Sequence, residues 1–340
     1  MKVTGRADIV AWLDALAAHY TLIAPRSVEG ELLYGAVASS DEIVFDFERT
    51  VLSPKTFFLP DTQVILEMER RGKNVTLVEP TLRQEQVLFA VRPCDARALR
   101  TLDALLLSHP PPDSYYAEHR EHTILVGLAC PHLWEDCFCT SLGSGPDDGS
   151  AMDLMLFQEG DDYLVRVVTD RGAALLEGLS AKETDRVATA SDLPGEQVPV
   201  LPPEAWEAFF DDVFWQHLAN RCLSCHACTY VCPTCRCFDV RDETIAAGAG
   251  YAHMQRMRAW DSCMAAAYRR IAGGHNPRPN KAQRLRNRYY CKFCYSPQDF
   301  DTVACVGCGR CIAVCPVGID IAEMLSELPH LGPGNSTASS

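Results

Sequence analysis

The sequence predicts an α+β protein, in which an N-terminal α/β domain with a partly parallel sheet precedes a mainly helical domain rich in cysteine. Two apolar runs, at 87–91 and 124–129, enclose a segment with helically spaced leucines, as parallel strands joined by a helix do. A proline-rich stretch follows, and beyond it one cysteine pattern occurs twice. The expected N-terminal domain, linker, C-terminal domain and disordered tail lie at 1–191, 192–203, 204–330 and 331–340.

The elements of the first domain follow from hydrophobic periodicity. Ile9, Leu13, Leu16 and Tyr20 have helical spacing and predict a helix at the start of the chain. Alternating or apolar runs bounded by glycine, proline and serine predict strands, and two of them, split by EGDD, predict a hairpin. These runs are 31–37, 42–47 and 64–69, and the hairpin strands are 152–157 and 163–168.

The second domain should begin with an aromatic-rich helix over 204–222, which leads into the first cysteine motif. The interval between the two motifs is too long for a minimal two-cluster protein, and we expect helices over about 244–271 within it. A basic stretch at 278–290 is interpreted as a set of charges that balance anionic groups nearby, with a docking patch for a partner as the alternative.

Composition restricts the class of protein. The formal charge of −14 disfavours nucleic acid and anionic membrane surfaces as partners, and no apolar run is long enough to cross a bilayer. The first 20 residues have acids inside their apolar stretch, unlike a signal peptide. Because 17 cysteines are then best explained in a reducing compartment, we expect a cytoplasmic protein.

The cysteine pattern C-x2-C-x2-C-x3-C-P occurs at 222–233 and again at 305–316. Its short gaps let three thiolates converge on one cubane 4Fe-4S cluster, whereas zinc ribbons need neither the third cysteine nor the proline. In two-cluster ferredoxins the fourth cysteine of each run binds the other cluster. The sequence therefore predicts two 4Fe-4S clusters in a ferredoxin-like domain, one held by Cys222, Cys225, Cys228 and Cys315 and the other by Cys305, Cys308, Cys311 and Cys232.

Four further cysteines are expected to meet at one edge of the first sheet. Cys94 and Cys130 directly follow the two apolar strands, and Cys137 and Cys139 lie in the loop after the second one. The carboxyl ends of neighbouring parallel strands are where open α/β sheets hold ligands. A third 4Fe-4S cluster is the favoured interpretation, with buried unligated thiols, zinc or a redox disulfide as alternatives.

The remaining cysteines, Cys235, Cys237, Cys263, Cys291 and Cys294, all belong to the second domain and have no assigned role. Cys235 and Cys237 follow the first motif closely, so they could pack beside a cluster and tune it. A further metal site formed by Cys235, Cys237, Cys263 and Cys291 is a weaker hypothesis, because their spacing does not fix their convergence.

No catalytic residues can be nominated from the sequence. It contains neither GxGxxG after a strand nor GxxxxGK[ST], so no flavin or nucleotide is expected in this chain. The two separated C-x2-C pairs that would hold a nickel–iron centre are also missing. His132, His253 and His275 are interpreted as structural. The chain is expected to be a non-catalytic electron carrier.

Several motifs together resemble one family. They are VRPCDA, CPHLWEDCFC, CLSCHACTYVCPTCRCFDV, RAWDSC, AGGHNPRP, RLRNRYYCK and CVGCGRCIAVCP. The combination resembles the beta subunit of soluble NAD(P)-linked nickel–iron hydrogenases, also called sulfhydrogenases, over about residues 30–320. The A subunit of anaerobic sulfite reductase is similar in the same places, but it tends to lack a cysteine at the position of Cys291.

The resemblance implies an oxidoreductase complex with several subunits. A flavin subunit would exchange hydride with NAD(P)H, this chain would relay single electrons, and the small and large nickel–iron subunits would carry out the hydrogen chemistry. A relay in sulfite reductase and a free-standing ferredoxin-like carrier are the alternatives. A neighbouring gene for a nickel–iron subunit would favour the first interpretation, one for a sirohaem protein the second, and a stable monomer the third.

Overall fold

The computed structural model describes residues 1–80, 85–188 and 197–331. The strands are β1 Lys2–Gly5, β2 Thr21–Val28, β3 Glu31–Ala36, β4 Thr62–Arg71, β5 Asn74–Val78, β6 Gln86–Val91, β7 Thr123–Leu128, β8 Leu154–Glu159, β9 Asp162–Val167, β10 Lys182–Glu183, β11 Phe238–Gly248 and β12 Tyr251–Trp260. The helices are α1 Arg6–Ala17, α2 Pro93–Leu106, α3 Ser114–Glu121, α4 Asp170–Leu175, α5 Phe214–Arg221, α6 Ala227–Tyr230, α7 Lys281–Tyr290, α8 Ser296–Phe300, α9 Arg310–Ala313 and α10 Ile321–Glu327.

Eight strands form a mixed sheet in the order β10-β1-β9-β8-β7-β6-β2-β3. The pairs β2–β6, β6–β7 and β7–β8 are parallel, and the other neighbours are antiparallel. This arrangement confirms the predicted fold class with its partly parallel sheet. It also contains the predicted strands over 87–91 and 124–129 and the hairpin formed by β8 and β9.

The sheet is buried on both faces. Val87 and Phe89 of β6 contribute to one hydrophobic core with α1, while Leu88 points to the other core, which contains α2. Both cores need apolar residues at successive strand positions, which explains the uninterrupted apolar runs in the sequence. Segment 42–47 is not a strand, contrary to the prediction. Its residues Ile43, Phe45 and Phe47 are buried in the first core from an irregular segment.

A second, antiparallel sheet has the order β11-β12-β4-β5. The helices predicted over 244–271 are therefore wrong in most of that interval, because residues 238–260 form the hairpin β11–β12. Gly250, with φ +73°, lies in its turn, and β12 gains a full partner in β4. Pairing with a strand far away in sequence thus outweighs the local helix preference.

The C-terminal core gathers aromatic side chains around Trp206, Trp215, Tyr289, Tyr290 and Phe293. The single helix predicted over 204–222 is instead a 3-10 helix at Pro203–Phe209 followed by α5. Helix α7 begins with a capping box, in which Asn280 and Gln283 bond to each other's backbone N–H groups.

The two regions share the second sheet, since β4 precedes the predicted linker and β12 follows it. The division at 192–203 stays a prediction. Residues 192–196 of that linker and 332–340 of the expected tail lie outside the described residues. No helix within the described ranges is long and apolar enough to cross a membrane.

Candidate iron–sulfur sites

The two cysteine motifs fold alike. Ser224 and His226 in the first motif have φ +55° and +67°, and Gly307 and Gly309 occupy the matching positions of the second with φ +64° and +72°. Left-handed residues on either side of the middle cysteine turn the chain twice within one motif. The conformation is unfavourable for Ser224 and His226, which have a Cβ atom, so it is maintained by the surrounding structure.

The first cysteine site is a cavity lined by four thiols of the predicted first set. They are Cys222, Cys225, Cys228 and Cys315, and Cys311 lies at the same cavity. The backbone N–H of Ser224 donates to Cys222 Sγ at 3.3 Å, and that of Ile319 donates to Cys315 Sγ at 3.2 Å. Cys225 is exposed, so this site reaches the protein surface.

The second cysteine site is deeper. Its cavity is lined by the predicted set Cys232, Cys305, Cys308 and Cys311, together with Lys292. Cys232, Cys305 and Cys308 are all buried. Cys232 comes from the first motif and the other three thiols from the second, a grouping that agrees with the crossover pattern expected of two-cluster ferredoxins.

The third cysteine site joins the large sheet to the second motif. Cys94, Cys130, Cys137 and Cys139 line one cavity at the carboxyl ends of β6 and β7, and Cys308 borders it. Gly307 of the second motif packs against the loop that contains Cys137 and Cys139. A Cβ atom on Gly307 would lie 2.5 Å from the backbone nitrogen of Cys139. The backbone N–H of Phe138 also donates to the Gly307 carbonyl oxygen at 3.0 Å.

The three sites lie in series. Cys311 lines the first and second cavities, and Cys308 lines the second and third. The second site is therefore the neighbour of both others. From the large sheet towards the exposed Cys225, the order is therefore the third site, the second site and the first site.

Buried cations surround the second site. Lys292 and Lys55 are each 3% exposed. Lys292 Nζ donates to Cys232 Sγ at 3.2 Å, while Lys55 Nζ donates to the carbonyl oxygens of Cys232 and Cys235 at 3.1 and 3.0 Å. Charges of this kind favour thiolates and the net negative charge of a ligated cluster.

Burial raises the pKa of several thiols in these sites. It raises the pKa of Cys308 and Cys130 to about 12 and that of Cys305 and Cys139 to about 11. Cys232 behaves differently, because a hydrogen bond from the Cys235 thiol, aided by Lys292, lowers its pKa despite burial. Iron binds thiolates, so metal binding must release protons from the thiols whose pKa is raised.

The thiols that line these cavities do not converge on a single metal ion. Within 1–80, 85–188 and 197–331, no three His, Cys, Asp or Glu side chains converge closely enough to hold one metal ion. A cubane spreads its four thiolate ligands over four irons, so its ligands stand further apart than those of zinc. Each of the three cavities is lined by at least four cysteines, the number of thiolates that a 4Fe-4S cluster requires.

The other cysteines lie beside the second site or further away. The thiol of Cys235 donates a hydrogen bond to Cys232, and the thiol of Cys263 donates one to Cys237. Arg236 donates to Cys291 Sγ at 4.0 Å. Cys294 is buried and 3.7 Å from Gln298 Oε1. No three of the side chains of Cys235, Cys237, Cys263 and Cys291 converge closely enough to hold one metal ion, and the further metal site built from them stays a hypothesis.

The basic stretch 278–290 points largely inward. Lys281 Nζ donates to the Cys222 carbonyl oxygen at 2.6 Å, and Arg288, which is buried, has its guanidinium 3.4 Å from the Cys228 carbonyl oxygen. Arg284 donates to the Met264 carbonyl oxygen at 3.0 Å. These bonds place positive charge beside the cysteine motifs and favour charge balance over a docking patch as the role of this stretch.

Sequence reasoning missed the buried ionic groups. Lys292 directly follows Cys291, and this proximity to a cysteine was the only signal for it. Lys55 is far from every motif in sequence, as is Arg49, whose Nη1 atom is 3.7 Å from Cys137 Sγ. Such contacts depend on the tertiary fold, and no local pattern identifies them.

These features define an iron–sulfur protein of the dicluster class, and residues 221–319 match the family model of the 4Fe-4S dicluster domain. The chain is 36% identical over 310 residues to the sulfhydrogenase 2 subunit beta of Pyrococcus furiosus. The aligned region covers 86% of this chain and 87% of that protein. The chain belongs to the family of sulfhydrogenase beta subunits. No solved structure matches it significantly.

Proposed function

We propose that this chain relays single electrons through 4Fe-4S clusters as a non-catalytic subunit of a heteromeric, NAD(P)-linked nickel–iron hydrogenase. The observation that carries the proposal is the series of three cysteine-lined cavities, in which neighbouring sites share Cys311 and Cys308. Bound cubanes would supply reversible one-electron chemistry at each site.

The proposed ligands follow the crossover pattern. The first site would use Cys222, Cys225, Cys228 and Cys315, the second Cys232, Cys305, Cys308 and Cys311, and the third Cys94, Cys130, Cys137 and Cys139. In each case the grouping around one cavity supports the assignment. The proposed domains are an α/β domain at 1–191 with the third site and a dicluster domain at 204–330 with the other two.

The proposed partners are a flavin and NAD(P)-binding subunit and the small and large nickel–iron subunits. The relative's name, subunit beta of a sulfhydrogenase, supports an assembly of this kind. A flavin subunit is needed chemically, because it converts a two-electron hydride into the single electrons that this chain would carry. We place the complex in the cytoplasm, with neither a membrane nor a nucleic acid as partner, which agrees with the charge of −14.

Purification of the native complex tests the proposal. Affinity purification of this chain, under anaerobic conditions from the cells that produce it, should recover flavin and nickel–iron subunits with NAD(P)H-dependent hydrogen evolution. Recovery with a sirohaem protein instead would assign the relay to sulfite reduction. Recovery of a stable iron-loaded monomer alone would favour a free carrier.

A further inference from the structure

Lys292 binds directly to a proposed cluster ligand. Its Nζ atom has three close hydrogen-bond partners, Cys232 Sγ at 3.2 Å, Thr234 Oγ1 at 3.1 Å and the Ala304 carbonyl oxygen at 3.1 Å, and a fourth, longer contact with Cys235 Sγ at 3.9 Å. An ammonium group has three donors, so the three close contacts can each receive one of its protons. Because the side chain is only 3% exposed, water does little to screen its charge at the second site.

No carboxylate among the described residues forms an ion pair with Lys292. The third site differs, since Arg49, whose Nη1 is 3.7 Å from Cys137 Sγ, is paired with Asp136 and Glu48 at 2.7 and 3.1 Å. In the first site, the thiols of Cys222 and Cys315 accept backbone N–H bonds. Arg288, the buried cation at the first site, contacts a carbonyl oxygen of Cys228 rather than a thiol. The second site is thus distinguished by a cation without a carboxylate partner that donates to a thiol sulfur.

Reduction of a cluster adds one negative charge, and a fixed positive charge nearby stabilises the reduced form. Cluster potentials respond to hydrogen bonds to sulfur, net charge and solvent exposure, and a bond from an ammonium group to a ligand sulfur combines the first two. We propose that Lys292 raises the reduction potential of the cluster at Cys232, Cys305, Cys308 and Cys311. Lys292 acts through the ligand Cys232, so it is a positioning residue, and the inference rests on the second site of the proposed function.

Lys55 provides a weaker second cation at the same site. It donates to the carbonyl oxygens of Cys232 and Cys235 rather than to a thiol, and its Nζ atom is 3.8 Å from the centre of the Trp260 ring. Replacing Lys55 should therefore shift the same potential in the same direction, but by less.

The test is an anaerobic redox titration of the full-length, iron-loaded chain, followed by electron paramagnetic resonance. The signal of the second cluster is identified as the one that Cys305→Ser removes. In Lys292→Met this signal should have a lower midpoint potential. At a given applied potential, the ratio of reduced to oxidised cluster should fall at least tenfold, which corresponds to a shift of about 59 mV for one electron. Lys292→Arg should restore most of the shift. Lys182→Met, which removes an exposed lysine of β10, should leave the potential unchanged.

An unchanged midpoint potential in Lys292→Met at full iron content would overturn the inference. A shift of equal size in Lys182→Met would also overturn it. If Lys292→Met loses the second cluster, the test moves to Lys55→Met. A lower midpoint potential of the second cluster in that variant supports the inference, and an unchanged one refutes it. Absence of the second cluster from the unmodified chain would instead refute the proposed function.

Discussion

Arg310 and Asp95 form a two-pronged ion pair, with Nη1–Oδ1 and Nη2–Oδ2 distances of 2.6 and 2.8 Å. Their side chains are 2% and 0% exposed. Arg310 directly precedes Cys311 of the second site, and Asp95 directly follows Cys94 of the third. The pair therefore connects the dicluster region to the start of α2, directly after β6 of the large sheet, at the point where these two sites meet.

Breaking this pair should destabilise the protein. Asp95→Asn leaves the Arg310 guanidinium buried without its countercharge, which costs about 3–5 kcal/mol in comparable buried pairs. Thermal unfolding of the iron-loaded chain should show a clear fall in the melting temperature. Asp242→Asn is the matched control, because Asp242 also pairs with an arginine through two bonds but lies at the surface. An equal effect of both substitutions would contradict the account.

The crossover of ligands predicts which cluster each substitution damages. Cys315→Ser should impair the cluster at Cys222, Cys225 and Cys228, and Cys232→Ser the cluster at Cys305, Cys308 and Cys311. Electron paramagnetic resonance of the two variants distinguishes the clusters. Each substitution would instead damage the cluster of its own motif if the ligands did not cross over.

Gly307 should be sensitive to the smallest possible enlargement. In Gly307→Ala the new Cβ atom would meet the Cys139 backbone nitrogen at 2.5 Å, so the loops of the second and third sites must separate. We expect lower iron content and a lower melting temperature than in Gly160→Ala. Gly160 has nearly the same φ, +65°, and open space around it, so this control isolates the clash from the backbone strain. Equal losses in the two variants would show that close packing at Gly307 is unimportant.

The purified chain should transfer electrons without catalysing a reaction of its own. After iron loading it should accept electrons from dithionite but neither oxidise NAD(P)H nor evolve hydrogen, because its sequence has no nucleotide loop and no nickel–iron ligand set. Absorbance spectroscopy and hydrogen detection before and after addition of partner subunits measure this. Flavin bound to the isolated chain, or NAD(P)H oxidation by it, would refute the conduit role.

The sequence predicted the parallel strands and the placement of Cys94 and Cys130 at one sheet edge because both depend on short-range patterns. Residues 87–91 and 124–129 are apolar without interruption, which follows from burial on both faces of the sheet. Cys94 and Cys130 could be placed together because each directly follows one of these strands, and neighbouring parallel strands end at the same edge.

The hairpin β11–β12 and the irregular segment 42–47 were mispredicted because long-range contacts decide both. Strand β12 pairs with β4, about 190 residues earlier in the chain, as in the contact of Gln255 with Glu67. The apolar residues of 42–47 alternate as they do in a strand, yet they are buried in the core from an irregular segment. No pattern within either segment contains that information.

The iron content of the full-length chain tests the central claim most directly. Three cubanes predict about twelve iron atoms per chain after anaerobic reconstitution, with uptake of about three electrons from dithionite. Cys94, Cys130, Cys137 and Cys139 should then be protected from alkylation in the folded protein. A count of about eight iron atoms, with those four thiols open to alkylation, would contradict the relay of three sites.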